Sequence, residues 1–192
     1  MDEIAPGIRH WSARHPRIGV EVSSYWLPDL GVALDPLAPP AEVAPREVLL
    51  TNRHHLRDAV KLHGLHGCTI RAPRPGMHEY GRGEPVEPYD FGDELAGGAV
   101  VAHEVGAICP DEAALHMPSL KALAVADGVV HYGGELGFVR DALMDEPEQT
   151  KRDLRRAYAR LADDLDFDVL LTAHGPPIAS GARERLREFA SP

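Results

Sequence analysis

Apolar and polar positions along the chain fall into two groups of one kind, short strand-like runs followed by helical spacing. Residues 19–27 roughly alternate in character, and residues 31–34 follow across Pro28-Asp29, which predicts a hairpin. Asp35-Pro36 ends it, and beyond a proline-rich run residues 47–51 predict a third strand. Leu56, Ala59, Val60, Leu62 and Leu65 then recur at three- and four-residue spacings, predicting an amphipathic helix over 55–66 that Gly67 stops. Residues 68–70 return as a short strand. From 71 to 97 the density of proline, glycine and acidic residues predicts a long surface loop, either a lid over the strand ends or a plain connector.

Strand character resumes at 99–102 and at 122–125, and Asp127-Gly128 predicts a hairpin joining the latter to 129–132. Thr150, with Asp153 three residues on, reads as the cap of a helix whose stripe is Leu154, Ala157, Tyr158 and Leu161. Residues 167–172 form a strand, 173–177 its closing turn and 180–189 a last helix. With no repeat and no linker, residues 1–192 read as a single layered domain of the α/β class.

At 192 residues the chain can bury about two-thirds of the surface its unfolded form would expose, so no staple is required. Two cysteines, Cys68 and Cys109, make neither a bridge framework nor a thiolate cluster, and read as structural residues. Thirty acidic against twenty basic residues give a formal charge of −10, which opposes a phosphate backbone or an anionic membrane. A small-molecule ligand is therefore expected, with no nucleic-acid or membrane partner, on a monomer or homodimer. Met1-Asp2-Glu3-Ile4 does not read as a leader, and no run approaches the roughly 20 apolar residues of a membrane span, so a soluble cytoplasmic protein is expected.

Eleven histidines is a high count for this length. His54, His116 and His174 each lie next to an expected strand end or turn, where α/β folds gather metals and ligands. Neutral imidazole suits zinc, iron or manganese. Position alone leaves each residue either a ligand or a hydrogen-bonded loop side chain.

Several segments together resemble the metallo-beta-lactamase superfamily. Val32-Ala33-Leu34-Asp35-Pro36 is similar to its strand ending in Asp-Pro. His116-Met117-Pro118-Ser119 resembles its Gly-His-Thr-Pro-Gly-Ser turn, and Leu171-Thr172-Ala173-His174-Gly175-Pro176-Pro177 resembles its last ligand turn. The resemblance implies a four-layer αββα sandwich. Laid over Thr51, the family's Thr-His-x-His-x-Asp-His motif falls on Asn52, His54, Leu56 and Arg57, and its bridging aspartate falls on Glu135. It thus implies a ligand group of His54, His116, Glu135 and His174, with Asn52 a further donor.

A competing register takes His54, Leu56 and Asp58, and Asp127 is another possible bridge, although Asp-Gly also reads as a hairpin turn. Leucine donates no electron pair and arginine stays protonated, so one ion rather than two is expected, zinc first and iron or manganese as alternatives. Arg57 is assigned either the missing metal's place, pairing with Glu135 or a substrate anion, or a solvent-facing position. His55 or Asp58 would orient water or a ligand's second nitrogen. These assignments lead to a metal-dependent hydrolase of a small-molecule ester, thioester, lactone or phosphoester. A protein that kept the fold and lost the metal is the alternative, binding a small molecule or serving structurally, and an acidic interaction subunit is a third.

Overall fold

The computed structural model describes residues 1–191. Its first sheet runs in chain order through β1 (Asp2–Ala5), β2 (Ile8–Arg14), β3 (Glu21–Leu27), β4 (Val32–Leu34), β5 (Glu47–Leu49), β6 (Thr69–Pro73) and β7 (Val86–Tyr89). The first four pair antiparallel, and β4 to β7 run parallel. The second sheet uses β8 (Glu94–Leu95), β9 (Val100–Glu104), β10 (Ala113–Met117) and β11 (Ala122–Val125). A separate hairpin, β12 (Val130–Tyr132) and β13 (Glu135–Gly137), precedes β14 (Val169–Thr172), which joins that sheet parallel to β11.

Side chains alternate between the two faces of each strand, and this alternation makes the layers. Leu49 in β5, Ala124 in β11 and Leu171 in β14 point into one apolar cluster between the sheets. Their neighbours Leu123, Val125 and Leu170 point outward, against Leu154, Tyr158 and Leu161 of α2 (Pro147–Asp164) and Leu186 of α3 (Ala182–Ala190). On the other side, Val48, Leu50 and Ile70 meet Leu62 of α1 (Ala59–His66) and the indole of Trp26. Burial on both faces explains why β11 and β14 are nearly all apolar. The layers are helix, sheet, sheet, helix.

Several expected elements move. The stretch 71–97 contains the end of β6, all of β7 and all of β8. Pro88 is accommodated because β7 lies at the edge of its sheet, where a missing N–H breaks no ladder bond. Asp127-Gly128 makes no hairpin, since β11 pairs with β10 and β14 while β12 pairs with β13. α2 starts at Pro147, whose fixed φ suits a first turn, so Thr150 lies inside it. α1 starts at Ala59 and ends as expected at Gly67, whose φ of 67° is left-handed and whose N–H donates to the His63 carbonyl. Both cysteines are free and buried. Among the described residues, no helix is long and apolar enough to cross a membrane.

Candidate metal centre

The parallel strands β5, β11 and β14 end at one edge of the sandwich, and the segments that leave them form the site. Thr51 and Asn52 follow β5, Asp127 follows β11, and His174 follows β14. Hydrogen bonds join the two sheets there: Ala113 N–H donates to the Thr51 carbonyl at 2.9 Å, and Ser23 N–H to the Ala173 carbonyl at 2.9 Å. The Tyr25 hydroxyl donates to the Thr172 carbonyl at 2.8 Å.

After β5 the chain makes a 3-10 turn, Arg53–His55, with Asn52 as its cap: the Asn52 side-chain oxygen accepts from His54 N–H at 2.9 Å. Such a turn has three residues per revolution, so residues three apart stack on one side. Asn52 and His55 therefore both face Asp127, while His54 between them is rotated outward and exposed. Asn52 Nδ2 donates to Asp127 Oδ2 at 2.8 Å, and His55 Nε2 lies 3.2 Å from Asp127 Oδ1. From the opposite side His174 Nε2 lies 2.9 Å from that oxygen. His55, Asp127 and His174 can each offer one ligand atom, all within 4.8 Å of one another.

The far nitrogen of His55 is fixed too. Its Nδ1 lies 3.0 Å from Asp35 Oδ2 and 2.9 Å from Thr51 Oγ1, and that hydroxyl donates to Asp35 at 2.6 Å. A carboxylate on one ring nitrogen orients the other toward an ion and raises its basicity. Burial alone would lower the pKa of His55, but Asp35 and Asp127 outweigh it and hold the imidazole at about 9. Burial would likewise raise the Asp127 carboxyl, and His55 and His174 keep it well below the usual carboxylate range. Two imidazoles, one anionic carboxylate and an oriented outer partner fit a catalytic divalent-metal site with open positions.

The expected ligands separate. His116 sits within β10 opposite Leu123, near the start of β11, whereas Asp127 lies past the end of β11. Four residues of strand put them about 13 Å apart. His116 Nε2 instead lies 3.0 Å from the Asp166 carbonyl, at the other end of the sheet. Glu135 is exposed on β13 opposite Tyr132. His54 lines the cavity above the site but stands outside the group of three. Only His174 of the four expected ligands is brought to Asp127. Asp58 is spent elsewhere, accepting from Ala38 N–H at 2.5 Å.

Arg57 does reach the cavity, but it does not meet Glu135. Its Nη1 donates to the carbonyls of Ser23 at 2.8 Å and Asp35 at 2.6 Å. The residue has a φ of 42°, and this left-handed step separates the 3-10 turn from α1. Asp127, expected as an alternative bridge or a hairpin turn, and His55, expected as an outer partner, are the two groups that join His174. The available signals were the strand end before Asp127 and the Asn cap three residues before His55.

Comparison with known proteins agrees with this architecture. The chain is similar to a metallo-beta-lactamase from Erythrobacter litoralis, with a TM-score of 0.72 and 15% identity over 98% of this chain and 94% of that one. An archaeal metallo-beta-lactamase superfamily protein from Sulfolobus tokodaii gives a TM-score of 0.72 and 13% identity over 96% and 84%. Rubredoxin oxygen:oxidoreductase from Desulfovibrio gigas gives 0.66 and 14% over 98% and 61%. No protein-family model and no curated protein matches the sequence. The chain has the metallo-beta-lactamase fold, an αββα sandwich. That fold carries both a lactamase and an oxidoreductase among these neighbours, so the reaction depends on the site rather than on the fold.

Proposed function

We propose that the chain is a hydrolase that works with one divalent metal ion, zinc in the first instance, on a small-molecule ester, thioester, lactone or phosphoester. The observation that carries this reading is the convergence of His55 Nε2, His174 Nε2 and the Asp127 carboxylate, with the outer nitrogen of His55 already held by Asp35 and Thr51. One ion rather than two follows from the neighbours. Leu56 offers no donor, Asn52 turns its N–H toward Asp127, and Arg57 is cationic.

When bound, the ion supplies Lewis acidity that polarises the scissile oxygen and makes water a stronger acid. The chain's own contribution is positional. Asp35 and Thr51 keep the His55 ring in one orientation, and Asn52 holds Asp127 by its second oxygen. A cavity of about 230 Å³ above these groups suits a small substrate.

The test is elemental analysis of protein purified without a metal-affinity tag, followed by a panel of those four substrate classes. Near-stoichiometric zinc with turnover is expected, while iron or manganese at the same occupancy would revise the ion only. His174→Ala or Asp127→Ala should weaken binding by at least about 100-fold, more than the loss of an outer partner. His116→Gln and Glu135→Gln should leave it unchanged. A second reading, a metal-free binding protein, is favoured by Asp127 already accepting from Asn52 and facing both imidazoles. Persistent absence of metal after reconstitution selects it.

A further inference from the structure

The cavity over the site differs in charge from the rest of the molecule. The chain carries −10 overall, yet two guanidinium groups, Arg17 and Arg57, line this cavity against one carboxylate, Asp127. A concave wall of one sign concentrates counter-ions of the other. The guanidinium of Arg57 has five N–H donors in a planar fork. Nη1 spends its two on the Ser23 and Asp35 carbonyls, and among the described residues no carboxylate lies within ion-pair distance of Arg57. Three donors of a partly buried cation therefore have no protein acceptor.

The free Nε and Nη2 are not sealed from solvent, and a bidentate oxyanion entering the cavity is the partner a guanidinium fork fits. Arg17 supplies a second cation from the loop between β2 and β3. That loop also carries Ile18, 59% exposed, to the cavity rim. Apolar surface beside a cation suits the carbon skeleton of a small acid better than a bare inorganic ion.

We infer that Arg57 and Arg17 form an oxyanion subsite beside His55, Asp127 and His174, and that the molecule turned over there carries a carboxylate or phosphate next to its scissile bond. Turnover there rests on the hydrolase reading; the subsite does not. Arg57 fixes the anion in the cavity, and Arg17 adds attraction at the entrance.

Two measurements separate these claims. In chelator-treated protein at low salt, inorganic phosphate and succinate are titrated by calorimetry against wild type, Arg57→Met, Arg57→Lys and Arg17→Gln. Arg57→Met should weaken both anions at least about tenfold, the size of a charged hydrogen bond. Arg57→Lys should retain phosphate better than succinate because a point charge replaces the fork, and it keeps the test open if the methionine variant fails to fold. Arg17→Gln should weaken both about threefold, with the effect disappearing at high salt. Equal affinity in wild type and in whichever Arg57 variants fold overturns the subsite.

In the zinc-loaded protein, and after subtraction of the uncatalysed rate that the free carboxylate itself raises by attacking its own ester, mono-4-nitrophenyl succinate should be hydrolysed by water to succinate and 4-nitrophenol at least about tenfold more efficiently than its methyl ester. Arg57→Lys should erode that preference. Anion binding without hydrolysis of either ester overturns the hydrolase reading alone. Hydrolysis of both esters without preference, together with no anion binding, overturns the subsite alone.

Discussion

His55 shows how one residue connects protonation with metal binding. Two carboxylates hold its imidazole at about 9, so in the metal-free protein it is charged at neutral pH. A ligand nitrogen must be free of its proton. Binding one ion at pH 7 should therefore release about one proton, read as calorimetric heats that vary with buffer ionisation enthalpy, and affinity should climb until pH 9. Buffer-independent heats would place the ion elsewhere. Glu112 lies deeper: fully buried, with one oxygen accepting from Gly128 N–H at 2.6 Å and the other without a partner. Burial first, and then Asp127, raises its carboxyl from 4.5 to about 7. The folded state thus binds a proton that the unfolded state gives up, so stability falls as pH rises from 4.5 to 7 and stays reduced above. Glu112→Gln should match wild type near pH 4.5 and exceed it at pH 8 by up to about 3 kcal/mol in urea melts with chelator present. A difference independent of pH would show that the raised carboxyl is not the cause.

Apolar runs and single helical stripes were legible in the chain, whereas β10, buried along its whole length, was not. β11 and β14 are nearly continuous apolar runs, β3 mixes apolar and polar positions in rough alternation, and α2 and α3 carry a single stripe. β7 was hidden by Pro88, because its edge position is a fact of the sheet rather than of the segment. In the site, His174 was readable from its turn, whereas Asp127 stood between a bridging ligand and a hairpin turn and His55 was expected only as an outer partner. The family motif laid over Thr51 brings forward His54 where the 3-10 turn presents His55, and Asp127-Gly128 has the composition of a hairpin whose strands belong to different sheets. The turn 173–177 also shows what holds a ligand in place. Gly175 has a φ of 89°, and a Cβ there would lie 1.8 Å from the His131 carbonyl oxygen. The close approach is fixed by backbone, with His131 N–H donating to the His174 carbonyl at 3.0 Å. Gly175→Ala must therefore move the turn, and should cost about 3 kcal/mol in thermal melts and weaken metal binding together. Stability lost with metal affinity unchanged would show that His174 does not depend on this turn.

At the scale of the whole molecule the proposed ion would bridge its two sheets. His55 leaves the first sheet after β5, while Asp127 and His174 leave the second after β11 and β14. The same edge is already joined through Ser23, Tyr25 and Thr51, and the apolar cluster between the sheets is independent of the site. Folding should not require metal, in contrast to small domains that are unfolded without it. The ion should act instead as a ligand of the folded state alone, adding about 2.7 kcal/mol at a hundredfold excess over its Kd. For a chain of this size that is a rise of about 5 to 10 °C in Tm. Chelated protein should still melt in one cooperative transition, at the lower temperature. His174→Ala should melt at a temperature that zinc does not change, and His116→Gln should keep the full zinc-dependent rise despite some lost stability. If zinc, iron and manganese all leave the wild-type Tm unchanged, no ion joins the sheets, and His55, Asp127 and His174 are a hydrogen-bonded clasp.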